Sequence, residues 1–208
     1  MSQEDSTESA VDFPRDIFLH PTDEEVGYFQ LVDRARRDAD PDMPISNGMA
    51  GHAVYILKTF FDHAESHVRI CTGKLARAFD GVLAYSNPSL IRSVVRFISK
   101  PGTRLSIIIR DDPDFDAGQG VESHPLLAAL ERDAADGDKV QVLKLNQDTQ
   151  NLRYHFVVMD ERAFRVEHEP DAAKAFVIFG NTEFAKDLVD LFGSMESDCV
   201  RLYPANAV

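Results

Sequence analysis

The stretch RYHFVVMDERAFRVEH, Arg153 to His168, holds five side chains whose types and spacing could do chemistry together. They are Arg153, His155, Asp160, Glu167 and His168, in the pattern Arg-x-His, four residues, Asp, six residues, Glu-His. An imidazole titrates near neutrality, so His155 and His168 are the candidate catalytic groups, able to attack an electrophile or pass a proton. A guanidinium stays protonated and has no lone pair to donate. That rules out Arg153 as a nucleophile and suits it to hold an anionic group together with His155. Asp160 can orient a neighbour or pair with a cation, and Glu167 brings a second negative charge. A plainer account also fits: on strands with one wet face, Arg153, His155, Glu167 and His168 would form ordinary cross-strand pairs.

Other constellations carry less. Asp112, Asp114 and Asp116 in DPDFDAG are spaced like the first ligands of a calcium loop. The glycine comes one residue late and Glu122 falls one short of the bidentate acid, so an acidic surface loop is the reading. His63 and His67 straddle the end of a helix, and with Cys71 on a strand they make a poor tetrahedral set for zinc. CTGKLARAFD lacks the glycine spacing of a phosphate-cradling loop, and Ser86 and Ser99 sit in no nucleophile elbow. No metal and no cofactor is expected.

The elements that must position these residues are legible as alternating patterns. TDEEVGYFQLVDRARRDAD predicts a helix, with acids in its first turn, Val26, Phe29 and Val32 at helical spacing and arginines near its end. DPDMPISNG reads as a turn-rich link, and MAGHAVYILKTFFDHAES as a second, strongly apolar helix. There follow a strand in HVRICTG, a helix begun by Pro88, a buried strand in RLSIIIRD, a helix in HPLLAALERDAADG and a strand in KVQVLKLN. Strand and helix in alternation predict a mixed, mostly parallel sheet flanked by helices on both faces, an α/β architecture. YHFVVMD, AFRVEHE and AFVIFGN lie too close together for helical crossovers, so part of that region must be antiparallel. NTEFAKDLVDLFGSMES closes the order as an amphipathic helix with Phe184, Leu188, Leu191 and Phe192 on one side. Phe60 and Phe61, Val94, Val95 and Phe97 read as core, whereas Tyr85 and Tyr154 could line a pocket.

The 208 residues carry a net charge of -13, of which residues 1–48 hold -8 from twelve Asp and Glu against four Arg. Such a balance disfavours nucleic acid as a partner, because phosphate-backbone contacts gain affinity by releasing counterions from neutralised phosphates. Residues 1–16 have the composition of a flexible acidic tail, 17–47 of a helix and linker, and 48–204 of one α/β domain. The first residues are acidic where a secretion signal is basic and then apolar, and no apolar run is long enough to cross a membrane. Two cysteines far apart suit a reducing compartment, so a cytoplasmic protein is expected.

The intervals from Arg153 to His168 coincide with the signature of the phospholipase D superfamily: His-x-Lys, four residues, Asp, six residues, Gly-Ser. From about residue 48 to 195, the helix Ala50 to Ala64, the strand HVRICTG, two strand-helix units and the closing helix NTEFAKDLVDLF resemble one half of that fold, in its order. The resemblance implies a histidine that attacks phosphorus to form a covalent intermediate and a lysine that neutralises a phosphate oxygen. Here Arg153 stands at the histidine position, His155 at the lysine position, and Glu167 and His168 replace Gly-Ser. The inherited reaction is therefore expected to be absent. A second register makes His155 the nucleophile, at the cost of Val157 on the lysine and an Asp displaced by two residues. The resemblance further implies that a complete site needs two signature copies, and this chain has one, so a homodimer is expected. The resulting expectation is a non-catalytic protein that acts through protein contacts or senses a small ligand in a relic pocket. The alternative is a phosphodiesterase or nuclease using His155 or His168 in a rearranged, dimeric site. A third role, docking of a basic protein partner, would fall to the acidic N-terminal section.

Overall fold

The computed structural model describes residues 17–73, 75, 84–110, 124–133, 138–146, 152, 154–169 and 174–203. The first helix, α1 (Asp23–Asp38), starts where the sequence places it: Thr22 accepts from the Glu25 N–H, and the Glu25 carboxylate accepts in return from the Thr22 N–H. This reciprocal cap satisfies two N–H groups that a helix start otherwise leaves bare. The buried stripe of α1 is Tyr28, Val32 and Ala35, while Val26 is exposed. α2 (Ala50–His63) follows a short strand, β1 (Ile45–Asn47), which the sequence reads only as link. Three residues are too few to show an alternation, so only the pairing with a distant strand reveals it.

Next come β2 (His67–Thr72), a single 3-10 turn at Ala84–Ser86, and α3 (Pro88–Ile98), whose Asn87 side chain caps the N–H groups of Ser89 and Leu90. β3 (Arg104–Ile109), α4 (Pro125–Asp133) and β4 (Val140–Leu145) complete the alternating part. β5 (His155–Met159), β6 (Ala163–Glu169) and β7 (Lys174–Phe179) form a meander, α5 (Thr182–Glu196) follows with Asn181 as its cap, and β8 (Cys199–Tyr203) ends the described chain.

One eight-stranded sheet results, in the order β1-β7-β6-β5-β2-β3-β4-β8. The mixed α/β sheet with helices on both faces stands as expected. Its parallel part is smaller than the alternation suggests, being confined to β2-β3-β4: two pairings are parallel and five antiparallel. The meander and two edge strands absent from the sequence reading, β1 and β8, account for the difference. CVRLY carries too little apolar periodicity to announce β8, and its Val200 is exposed.

Side-chain alternation divides the core into two layers. Val68, Ile70, Leu105, Ile107, Val142, Val157, Met159 and Val177 face α1 to α4, where Phe60, Phe61 and Phe97 are fully buried. Cys71, Ile108, Leu143, Phe156, Val158 and Phe164 face α5 and meet Leu188 and Phe192. Phe184, expected in that stripe, is exposed, with its ring 4.8 Å from that of Phe164. The cysteines form no disulfide; Cys71 is buried and Cys199 half-buried. Among the described residues no helix is long and apolar enough to cross a membrane.

Candidate functional site

At the start of β5 the antiparallel register sets His155 opposite Glu167 of β6, and Glu167 opposite Ala175 of β7, which in turn faces Asn47 of β1. One row of side chains thus crosses four strands on the α1-to-α4 face. One row further in, Arg165 sits between Val157 and Val177, a cation in an otherwise apolar line. It is 5% exposed, so its charge must be met by protein. Its guanidinium donates to Glu167 Oε1 at 3.1 Å and to Asn47 Oδ1 at 3.3 Å. The other oxygen, Oε2, lies 2.8 Å from His155 Nδ1.

Burial alone would raise the Glu167 carboxyl, yet the hydrogen bond from His155 and the charge of Arg165 outweigh it and hold the group below its ordinary value. An ionised carboxylate only accepts, so Nδ1 must carry the proton of this hydrogen bond. That leaves Nε2 of a neutral His155 with its lone pair, the state in which an imidazole can take a proton or attack. Against this, Glu167 already engages both His155 and Arg165 from within the chain.

Aromatic groups close in on the same place. Tyr28 of α1 stacks on His52 of α2 with ring centroids 3.5 Å apart and planes 4° from parallel. Burial raises the Tyr28 phenol, partly offset by Arg165, and the phenol of Tyr85 responds to the same two influences. Burial lowers His52 despite Glu24 and Glu25. Tyr28 Oη, Asn47 Nδ2 and His52 Nε2 are buried without a hydrogen-bond partner among the described residues. Arg165, Asn47, Tyr28 and His52 escaped the sequence reading. The one available signal was Arg165 itself, an arginine at an inward position of AFRVEHE.

The five residues singled out in the sequence separate. His155 and Glu167 meet. Asp160 lies at the far end of β5, five positions or roughly 16 Å away along the strand. There it adopts a positive φ of 49° and accepts from the N–H groups of Glu65, Ser66 and His67. His168 points to the opposite face, half-exposed, 3.8 Å from Glu169. Arg153 lies outside the described residues, as do Asp112, Asp114 and Asp116. Among the described residues no group of three His, Cys, Asp or Glu could hold a metal ion.

No protein-family model matches the sequence, and no curated protein does. Solved structures do match. NucT from Helicobacter pylori aligns over 76% of this chain and 98% of its own, at 12% identity and a TM-score of 0.51. TrmBL2, an archaeal chromatin protein whose structure shows a novel mode of DNA binding, aligns over 85% of this chain and 61% of its own, at 12% identity and 0.53. Nuc from Salmonella typhimurium, a phospholipase D family member, aligns over 76% and 98% at 14% identity and 0.49. At such identities the likeness concerns the path of the backbone.

Proposed function

We propose that this chain, which has the phospholipase D-like fold, is a non-catalytic form of it that binds a protein partner or a small ligand at the remains of the inherited centre. The observation that supports this reading is the engagement of Glu167 by both His155 and Arg165. A phosphodiester substrate would need those donors for its own oxygens, and the chain fills them with a side chain that stays ionised. The guanidinium of Arg153, at the position of the attacking imidazole, adds a group without a lone pair. A thiol-keeping compartment such as the cytoplasm suits the two cysteines, and pairing of two chains would bring two such centres together.

One observation favours a second reading. The pairing of His155 Nδ1 with Glu167 is the arrangement that orients an imidazole for general-base or nucleophilic work, with Nε2 as the reactive atom. Incubation of the purified chain with bis(p-nitrophenyl) phosphate and with single-stranded DNA separates the two. No turnover above buffer is expected; turnover that disappears in His155→Ala establishes the enzyme and removes the non-catalytic reading.

A further inference from the structure

The face of the sheet that α5 covers carries a second polar group, remote from His155. At the beginning of β2 and β3, the register sets His67 beside Arg104 and Arg69 beside Ser106, with Gln141 of β4 next to Ser106. Alternation places all five on the side of Cys71 and Ile108, in the α5 layer. These are central strands beneath a helix, where the rest of the same face is apolar. A local break in the pattern that a buried layer demands is a mark of function. Arg69 pairs with Val158 of β5, three residues and roughly 10 Å along the strand from His155 and on the opposite face.

Two hollows meet at these residues. One, of about 620 Å³, runs along the strand starts past Gly102 and Lys139. The other, of about 370 Å³, lies beneath α5 against Ser106, Gln141 and Gly193. Both are lined by His67, Arg69 and Arg104. Gly193 contributes to the space, because a Cβ built there would meet nothing within 4 Å.

The charges around this space are unequally committed. Lys139 Nζ donates to the carbonyls of Ile98 and Lys100, each at 3.3 Å. Asp160 is bound by backbone N–H groups, and Glu196 accepts from Gln141. His67 Nε2 lies 3.0 Å from Ser106 Oγ, and burial together with Arg69 and Arg104 holds its pKa at about 3, so it is neutral. Neither the Arg69 nor the Arg104 guanidinium has a hydrogen bond or ion pair among the described residues. Burial draws the pKa of half-buried Arg69 down, and Glu161 and Glu196 offset this only in part. A partly desolvated guanidinium without a fixed acceptor is costly, and an oxyanion supplies the missing one.

We propose that Arg69 and Arg104 bind the carboxylate or phosphate group of a small molecule at the α5 face, at a site distinct from the His155 and Glu167 centre. Their planar forks give paired N–H donors, and Ser106 and Gln141 add neutral ones. Both hollows have the size of small-ligand sites. The acids of the two linings, Asp138, Asp160, Glu161, Asp190 and Glu196, repel a polyanion and favour a ligand whose far end is cationic or neutral.

The test follows thermal unfolding and calorimetric binding of the full chain at constant ionic strength, with inorganic phosphate, free glutamate and sodium chloride as separate probes. Phosphate or glutamate is expected to raise the melting temperature saturably, with chloride inert; which of the two acts identifies the oxyanion. Arg69→Gln and Arg104→Gln should each weaken binding tenfold or more, and Lys174→Gln, a charge removed elsewhere on the surface, should leave it unchanged. Gly193→Leu fills the hollow while improving helix propensity, so it should weaken binding without lowering the melting temperature of the free chain. That keeps the test decisive should Arg69→Gln fold poorly. The proposal is overturned if neither probe acts, if binding survives both Arg104→Gln and Gly193→Leu, or if a single-stranded oligonucleotide binds through Arg69 and Arg104 more tightly than the small anions do.

Discussion

At the scale of single residues, the candidate centre is a closed exchange of charge. Arg165 is buried and Glu167 is its only ionised acceptor among the described residues. Glu167→Ala should cost about 3 kcal/mol in urea unfolding, because losing one member of a buried pair leaves the other uncompensated. Glu167→Gln, which keeps an acceptor oxygen, should cost less. Asp160 predicts a different response. Burial would raise its carboxyl, but the N–H groups of Glu65, His67 and Ser66 prevail and lower it below 3.8. A carboxyl depressed in the folded state adds stability above its unfolded value, and that increment disappears as pH falls through the folded pKa. Asp160→Asn, which tolerates the positive φ, should therefore lose about 2 kcal/mol at neutral pH. The gap to the parent should narrow in unfolding measurements as pH falls below the ordinary carboxylate range, and a gap that stays constant through acid would remove the assignment. In the sequence, the spacing that picks out His155 and Glu167 was visible, because a hairpin places residues across from one another at short separation. The duty of Asp160 was not, since its partners stand more than ninety residues earlier and arrive only through the antiparallel pairing of β2 with β5.

At the scale of elements, α1 is fastened to the sheet at one crowded point. Ala39, its left-handed cap residue, sets its carbonyl where a Cβ on Gly180 would stand, 2.0 Å from such an atom. Gly180 also has a φ of +94°. Gly180→Ala thus meets backbone and strain together and should cost more than about 3 kcal/mol, read as a drop in melting temperature and earlier proteolysis of α1. The helix that opens at Thr22, the start at Pro88, the buried run of β3 and the strand β4 were all readable, since each depends on neighbours within a few residues. β1 and β8 were not, because their reason to be strands is an edge offered by β7 and β4. Arg165 gave a signal, an arginine at an inward position of AFRVEHE, but its partners Asn47 and Glu167 depend on what lies beside and above that face.

At the scale of the whole molecule, the proposed pairing of two centres makes the oligomeric state the decisive quantity. Sedimentation equilibrium of the full chain is expected to show a dimer, and a monomer at high micromolar concentration removes the paired-centre reading. A cut that probes the acidic N-terminal residues as a docking segment should stop at residue 16. A cut through residue 45 takes Tyr28, Val32, Ala35 and Ile45 out of the core and changes the fold together with the partner. The three residues of β1 have one more effect. They occupy the outer hydrogen-bonding rim of β7, six residues long. Stripped of that narrow guard, a shortened chain would offer a bare ladder to its own kind. Sticking in such preparations would be an injury of surgery and no sign of natural partnership.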